Sequence, residues 1–506
     1  MNRTTGFALA LVAATLPNGQ ASGQSKTLAT GQTAPVRITT EHVARIDGKQ
    51  LRYTASVDQT ILNDTLGKPA ASIFTFSYVA KNVKPDRPII FIFNGGPGSS
   101  SIWTHMGALA PRRVDLPDPI NPPTTAPFRM VDSPTSLLAF ADLVFLDPVG
   151  TGYSRMLPGG RAEDFLGITQ DARATADVVL GWLDTHGRWG SPKFMLGESY
   201  GTTRAILTSQ ALMGGVTAVG GQLRGASLNG LIILGPAFDI NAFGVEGDDR
   251  EFLNNLPTMA ATAWVHGKLE QGLTLEKATM AAQAFARSDY LQGLYAGNSL
   301  SDADRHRLAS RLAEISGIPE QAWIDANLRL TLRDFSGLLL KQEGKRVGAY
   351  DARFTLPARA EGPDPVADDP AMGQYTPAFS AALNSYVRDE LGYKTDQPYI
   401  PIDWKNVFFR WDRGSGPGVI PPRNYATDLA ISMRRNPALR VFVAAGYYDL
   451  VTTYGQADYA LAHAAVPRDR VVLKGYASGH MPYLGDDTAR SLSTDLKGFV
   501  EASNRH

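Results

Sequence analysis

Lys193-Phe194-Met195-Leu196-Gly197-Glu198-Ser199-Tyr200-Gly201 joins a short apolar run to a Gly-x-Ser-x-Gly turn, and a helix-compatible run follows from Thr202. The two glycines permit a sharp strand-to-helix turn, which holds the serine hydroxyl out at the end of a sheet. Alone the pentapeptide carries little weight, because a long Gly-rich chain meets it by chance. Its partners decide the matter. A serine hydroxyl is a poor nucleophile at neutral pH and needs a neighbouring base, itself held in one tautomer by an acid. In a strand–turn–helix setting those partners follow the serine in the order acid, then histidine.

The chain has eight histidines. His42 precedes the apolar strands, His266 and His306 lie in an Ala-rich helical stretch, and His506 is the last residue. His105 comes before the serine, His186 falls near a helix end, and His463 sits in an amphipathic helical pattern. His480 differs: the strand-like Arg470-Val-Val-Leu-Lys474 leads through Gly475 to Gly479 and then to His480-Met481-Pro482. A histidine on a Gly-flanked loop at a strand end is suited to act as the base. Two aspartates also follow strand-like runs. Asp449 comes after Val441 to Ala445 and lies 31 residues before His480, room for one helix between neighbouring strands. Asp239 follows Leu231 to Leu234 and reads as a turn or cap residue. Asp449 is the chosen acid.

Acyl chemistry at a serine also requires backbone donors for the developing oxyanion. Asn94-Gly95-Gly96-Pro97-Gly98-Ser99-Ser100-Ser101 directly follows the apolar run Ile89 to Phe93. Its glycines bring bare N–H groups close to a ligand, and Gly96 is the natural donor beside the amide of Tyr200. A phosphate cradle is the other use of such a loop, but no P-loop lysine follows and the dinucleotide spacing is missing.

Around these motifs, strand-like runs at Gln50 to Ser56, Ala71 to Ala80, Pro88 to Phe93, Ala141 to Leu146, Leu228 to Leu234 and Leu439 to Ala445 are interspersed with helical stretches such as Ala172 to Trp182. Uniformly apolar strands alternating with helices predict an α/β fold, a mostly parallel sheet with helices on both faces. Between about Asn241 and Gly392 the chain turns Ala-rich and helical. Ser301-x-x-Asp304 reads there as a helix start, and Gly317-Ile-Pro319 as a stop before a new helix. The expected organisation is a signal peptide over 1–21, a flexible leader over 22–35, a core over 36–240, a mainly helical cap over 241–392, and the rest of the core over 393–506. Aromatics at Tyr399, Trp404, Phe408, Phe409 and Trp411 gather where the chain re-enters the core, and core packing is their commoner use.

Bulk properties exclude several classes. Lys plus Arg and Asp plus Glu both number 49, with no polybasic run, so nucleic acid and anionic membrane surfaces are not expected partners. Arg3, the apolar run Phe7 to Leu16 and the small residues Gly19-Gln20-Ala21 have the layout of a secretory signal, too short to span a bilayer. Cysteine is absent, which removes disulfides, thiol catalysis and thiolate metal sites. Export without cysteine points to a bacterial periplasmic or secreted protein. No His-Glu-x-x-His motif occurs, and neither metal nor cofactor is expected.

Five segments occurring in order resemble the serine carboxypeptidases: Asn-Gly-Gly-Pro-Gly-x-Ser-Ser from Asn94, Asp147-Pro148-Val149-Gly150-Thr151-Gly152-Tyr153-Ser154, Gly-Glu-Ser-Tyr from Gly197, Gly446-x-x-Asp449, and Gly479-His480-Met481. The resemblance implies an α/β-hydrolase fold and removal of single residues from peptides with a free C-terminus. It makes Ser199 the nucleophile, His480 the base and Asp449 the orienting acid, with Gly96 and Tyr200 as the oxyanion hole. Asn94, Gly95 and Glu198 would hold the substrate carboxylate. A glutamate in that role repels a carboxylate unless one of the two carries a proton, so acidic pH should favour the reaction. The chain departs from the family at Ser99, where a cysteine is usual, before Pro148, where a glutamine is missing, and at Gly201-Thr202-Thr203-Arg204. Arg204 and Arg155 read as solvated or structural arginines rather than selectors of acidic substrates. An esterase or acyltransferase would use the same Ser-Asp-His set, and a non-catalytic binding protein would leave it idle.

Overall fold

The computed structural model describes residues 35–214, 223–239, 248–359, 362, 364–414 and 424–505. The expected signal segment over 1–21, and the leader except for Pro35, lie outside the described residues, as does the junction expected between residues 240 and 241.

Nine strands build the central sheet: β1 (Arg37–Ile46), β2 (Lys49–Asn63), β3 (Pro69–Ala80), β4 (Ile89–Phe93), β5 (Asp142–Asp147), β6 (Lys193–Ser199), β7 (Gly230–Pro236), β8 (Arg440–Gly446) and β9 (Val471–Tyr476). Their spatial order is β1-β2-β3-β5-β4-β6-β7-β8-β9, and the two-residue strand Arg155–Met156 joins the edge of β3. From β5 to β9 every pairing is parallel. The first three strands are antiparallel to their neighbours, so the sheet is mostly parallel, as expected, with an antiparallel edge. Short connections explain this: β1 and β2 are joined by a two-residue turn, which can only reverse direction.

The solid apolar runs are apolar because both faces are covered. In β4, Ile90 and Ile92 enter one cluster while Ile89, Phe91 and Phe93 enter the other. β6 divides the same way, Phe194 and Leu196 against Met195, and so does β8, Phe442 and Ala444 against Val441 and Val443. Helices α1 (Ile168–His186), α2 (Gly201–Met213), α3 (Tyr425–Arg435) and α4 (Tyr454–Ala462) cover one face through residues such as Val179, Ile206, Leu429 and Ala460. The C-terminal helix Asp486–Ser503 and the helix Pro370–Ser385 cover the other through Leu492, Leu496, Phe379 and Leu383. This is the α/β-hydrolase fold.

Over the carboxyl ends of the parallel strands lies a helical layer with its own core, which includes Leu256, Met259, Leu312, Trp323 and Phe335. Ser301 caps the helix Asp302–Ser316 by accepting the Asp304 N–H, and Gly317 ends it in the left-handed conformation. A small hairpin of Lys345–Val347 and Thr355–Pro357 interrupts the helices. Tyr448 and Leu450 belong to this upper core, so the cap packs directly on the residues flanking Asp449.

Candidate active site

At the end of β6 the chain turns so sharply that Ser199 takes φ of +60°. A non-glycine residue in this region carries roughly 1–3 kcal/mol of strain, tolerated where the surroundings over-determine it. The flanking glycines serve a different purpose from the one expected. Neither has positive φ; a Cβ on Gly197 would lie 2.1 Å from the Gly201 carbonyl oxygen. Glycine is needed there for room, and the serine itself adopts the left-handed backbone.

The acid and the base follow the ends of β8 and β9. Asp449 and His480 are buried, and His480 Nδ1 stands 2.7 Å from Asp449 Oδ2. A bond to an ionised carboxylate puts the proton on Nδ1 and leaves the Nε2 lone pair free. Asp449 is held in turn by the N–H groups of Val451 (2.7 Å) and Thr452 (3.0 Å) on Oδ1 and the Thr452 hydroxyl (2.7 Å) on Oδ2. Thr452 was not among the expected site residues; three residues after Asp449, it reaches back to the carboxylate through a local turn. Burial pulls the His480 pKa down, but the Asp449 carboxylate and its hydrogen bond outweigh this, and the net shift is upward. The cap steadies the same histidine: the Tyr350 carbonyl accepts the His480 main-chain N–H at 2.7 Å, and the Tyr350 ring meets the imidazole edge-on at 5.2 Å.

Ser199 and His480 line one cavity of about 560 Å³. Among the described residues no hydrogen bond joins Ser199 Oγ to the imidazole, and such catalytic bonds are often long before substrate tightens them. The cavity is also lined by Asn94, Gly95, Gly96, Glu198 and Tyr200, while Asp449 lies behind its wall, bonded to His480. The Ser99 N–H donates to the Gly95 carbonyl at 3.1 Å. Because C=O and N–H point oppositely across a trans peptide, this bond turns the Gly96 N–H away from residue 99. Among the described residues no protein group accepts the N–H of Gly95, Gly96 or Tyr200.

Glu198 is buried, and Asn94 Nδ2 donates to its Oε1 at 2.6 Å. Asn94 is itself fixed by Thr104, whose N–H (3.1 Å) and hydroxyl (2.8 Å) donate to its Oδ1. Glu198 Oε2 is buried without a hydrogen-bond partner among the described residues. Burial pushes the Glu198 pKa up to about 7, while nearby His480, the Tyr483 hydroxyl and the Asn94 amide pull the other way. The carboxyl next to the serine is therefore protonated below neutral pH and can donate a hydrogen bond.

Other expectations divide. Asp239, read as a turn or cap residue, lines the cavity, although Asp449 is the carboxylate on His480. His463, read as structural, also reaches the cavity wall. His105 is fully buried, stacked on Phe145 at 4.3 Å and bonded to the Tyr78 hydroxyl, which keeps it out of the site. Of the clustered aromatics, Trp404 and Phe408 line the cavity, Tyr399 and Trp411 are buried, and Phe409 is 61% exposed. Asp147 braces the glycine loop from below, accepting the Ser101 N–H (2.8 Å) and hydroxyl (2.7 Å) and the Tyr399 hydroxyl (3.2 Å) on Oδ1. Among the described residues no group of three or more His, Asp or Glu side chains could hold a metal, and no helix is long and apolar enough to cross a membrane.

Comparison with known proteins points the same way as the geometry. Residues 65–241 match the family model described as serine carboxypeptidase. Over 187 residues the chain is 28% identical to serine carboxypeptidase-like 20 of Arabidopsis thaliana, covering 35% of this chain and 36% of that one. The match thus spans about a third of that relative's length. The crystal structure of Kex1(delta)p, a prohormone-processing carboxypeptidase from Saccharomyces cerevisiae, superimposes with a TM-score of 0.50 over 89% of this chain and 91% of that one, at 15% identity. At that identity the likeness is one of fold.

Proposed function

We propose that this chain, a member of the serine carboxypeptidase family with the α/β-hydrolase fold, removes single residues from the C-termini of peptides through an acyl-enzyme on Ser199. Ser199 Oγ attacks the last peptide carbonyl while His480 Nε2 takes its proton, and Asp449 stabilises the imidazolium. The N–H groups of Gly96 and Tyr200 receive the oxyanion. The intermediate collapses, the amine of the departing residue takes the proton from His480, and water then releases the acyl group by the reverse sequence. Export, read from Arg3 and the run Phe7 to Leu16, is part of the same proposal.

One observation carries the choice of a carboxypeptidase over an esterase or acyltransferase. Glu198 is buried beside the nucleophile with its pKa at about 7 and a hydrogen bond from Asn94. A carboxyl poised to share its proton with a second one suits a substrate with a free carboxylate beside the scissile bond, which a simple ester lacks. A peptide with a free C-terminus should be cleaved far faster than its C-terminally amidated counterpart. Equal rates, or activity confined to simple esters, would refute the reading.

The pH dependence follows from two groups with opposite requirements. His480 must be neutral to act as base, so its raised pKa removes turnover on the acid side. Glu198 must be protonated to receive a carboxylate, so binding weakens as pH rises through about 7. Above that value KM for a free-acid peptide should rise by up to about tenfold per pH unit, the limit for a single ionisation. Glu198→Gln keeps a donor at every pH and should flatten this alkaline limb; losing a carboxylate that helps hold the His480 pKa up should also move the acid limb to lower pH. Steady-state kinetics between pH 5 and 9 would check it, and an unchanged KM profile in the variant would refute the role given to Glu198.

A further inference from the structure

Arg204 has no counterpart in the motifs that brought the site together, and its surroundings are unlike those of a solvated arginine. Its side chain is fully buried. Nε donates to Asp171 Oδ2 at 2.7 Å, and Nη1 donates to the main-chain carbonyl of Asn94. The guanidinium carbon lies 5.4 Å from the ring centroids of both Phe93 and Tyr200. One planar group thus touches the end of β4, the first residue of the glycine loop, the residue after the nucleophile and, through Asp171, helix α1.

A buried guanidinium is costly unless it is paired and hydrogen-bonded; Asp171 and the Asn94 carbonyl serve Nε and Nη1, while Nη2 is buried without a partner among the described residues. The second bond has a directional consequence. With the Asn94 C=O drawn toward Arg204, the trans peptide turns the Gly95 N–H the opposite way. Gly95 lines the cavity, and its N–H has no protein acceptor among the described residues. The Asn94 side chain springs from the same peptide unit and reaches Glu198. The Gly96 N–H is set independently, by the bond from Ser99 N to the Gly95 carbonyl.

We propose that Arg204, anchored by Asp171, is a positioning residue for recognition of the substrate's terminal carboxylate, holding the Asn94–Gly95 peptide so that the Gly95 N–H and the Asn94 amide face it. This rests on the carboxypeptidase reading. It also separates the carboxylate donors, which depend on Arg204, from the Gly96 oxyanion donor, which is set by the Ser99–Gly95 bond.

Arg204→Lys is the direct test, because a lysine keeps the charge but cannot serve Asp171 and the Asn94 carbonyl together as a planar fork does. KM for a free-acid peptide should rise about tenfold or more while kcat changes less than about threefold, the mark of lost ground-state binding. The preference for the free acid over the amidated peptide should fall by a similar factor. Labelling of Ser199 by a fluorophosphonate, which has no carboxylate, should hold its rate. A folded variant that keeps the wild-type preference overturns the proposal, and so does one in which labelling and both peptides lose equally, since that is a merely structural effect. Should the lysine variant fail to fold, Asp171→Asn retains a hydrogen-bond acceptor for Arg204 and should lower the preference in the same direction; an unchanged preference there overturns the proposal. A wild-type enzyme with no preference for the free acid defeats the underlying reading, and this inference with it.

Discussion

Ser199→Ala should lower kcat/KM by roughly 10⁴ to 10⁶ and abolish fluorophosphonate labelling, while the fold is retained. The size of the loss follows from the mechanism: without Oγ, His480 has no proton to take and no acyl-enzyme forms. Alanine keeps the Cβ, and with it the strained φ of +60°, so the stability of the variant should match that of the wild type. Ser199→Gly makes the complementary case. It removes the nucleophile and the strain together, and should raise unfolding stability by about 1 kcal/mol despite the usual entropic cost of glycine. Denaturant titration of the three proteins, with labelling measured in parallel, gives both answers. Turnover within tenfold of wild type in the alanine variant would remove Ser199 from the reaction.

Gly95→Ala should have the second-largest effect, for a reason of space alone. A Cβ there would stand 2.4 Å from Tyr200 N, 2.7 Å from the Glu198 carbonyl oxygen and 2.8 Å from Ser199 Cβ. None of these is the yielding tip of a long side chain. The glycine loop and the serine turn would have to separate, pulling the carboxylate and oxyanion donors away from the nucleophile. We expect a loss of about 10² or more in kcat/KM, typical of displacements near 1 Å in a reacting geometry, and about 1–3 kcal/mol in stability from overpacking. Gly181→Ala is the matched control. It lies within α1, where a Cβ meets nothing within 4 Å, and alanine there should be neutral or stabilising. If the two variants behave alike, the close approach at Gly95 has no functional importance.

The site is assembled from strand ends that are far apart along the chain and adjacent in the sheet. β4 and β6 are neighbours, with Phe93 opposite Gly197, so the glycine loop and the serine turn leave the sheet side by side. β8 and β9 are also neighbours, with Gly446 opposite Tyr476, which brings the loops of Asp449 and His480 together. A Cβ on Gly446 would fall 2.0 Å from the Gly479 carbonyl oxygen, a measure of how closely those loops pack. The cap completes the assembly from above by placing Tyr350 against His480 and packing around Tyr448 and Leu450.

Much of this was legible in the residues because its causes are local. An unbroken run such as Ile89 to Phe93 can satisfy its side chains only as a strand covered on both faces, and Gly-x-Ser-x-Gly states its own stereochemistry. The order of acid and histidine after the serine needs only the chain direction. What the residues could not convey is which side chains converge once strands are sorted into an order different from that of the chain. Asp239 has the same strand-end setting as Asp449, yet only one of them meets His480. Trp404 and Trp411 look alike in the sequence, yet one lines the cavity and the other is buried in the core. Arg204 is the clearest case: four residues from Tyr200 along the chain, it acquires its place from Asp171 and Asn94, which the sheet order and helix packing bring to it. Periodicity and turn chemistry act over a few residues and are written in them; convergence depends on the crossovers, and only the folded chain decides it.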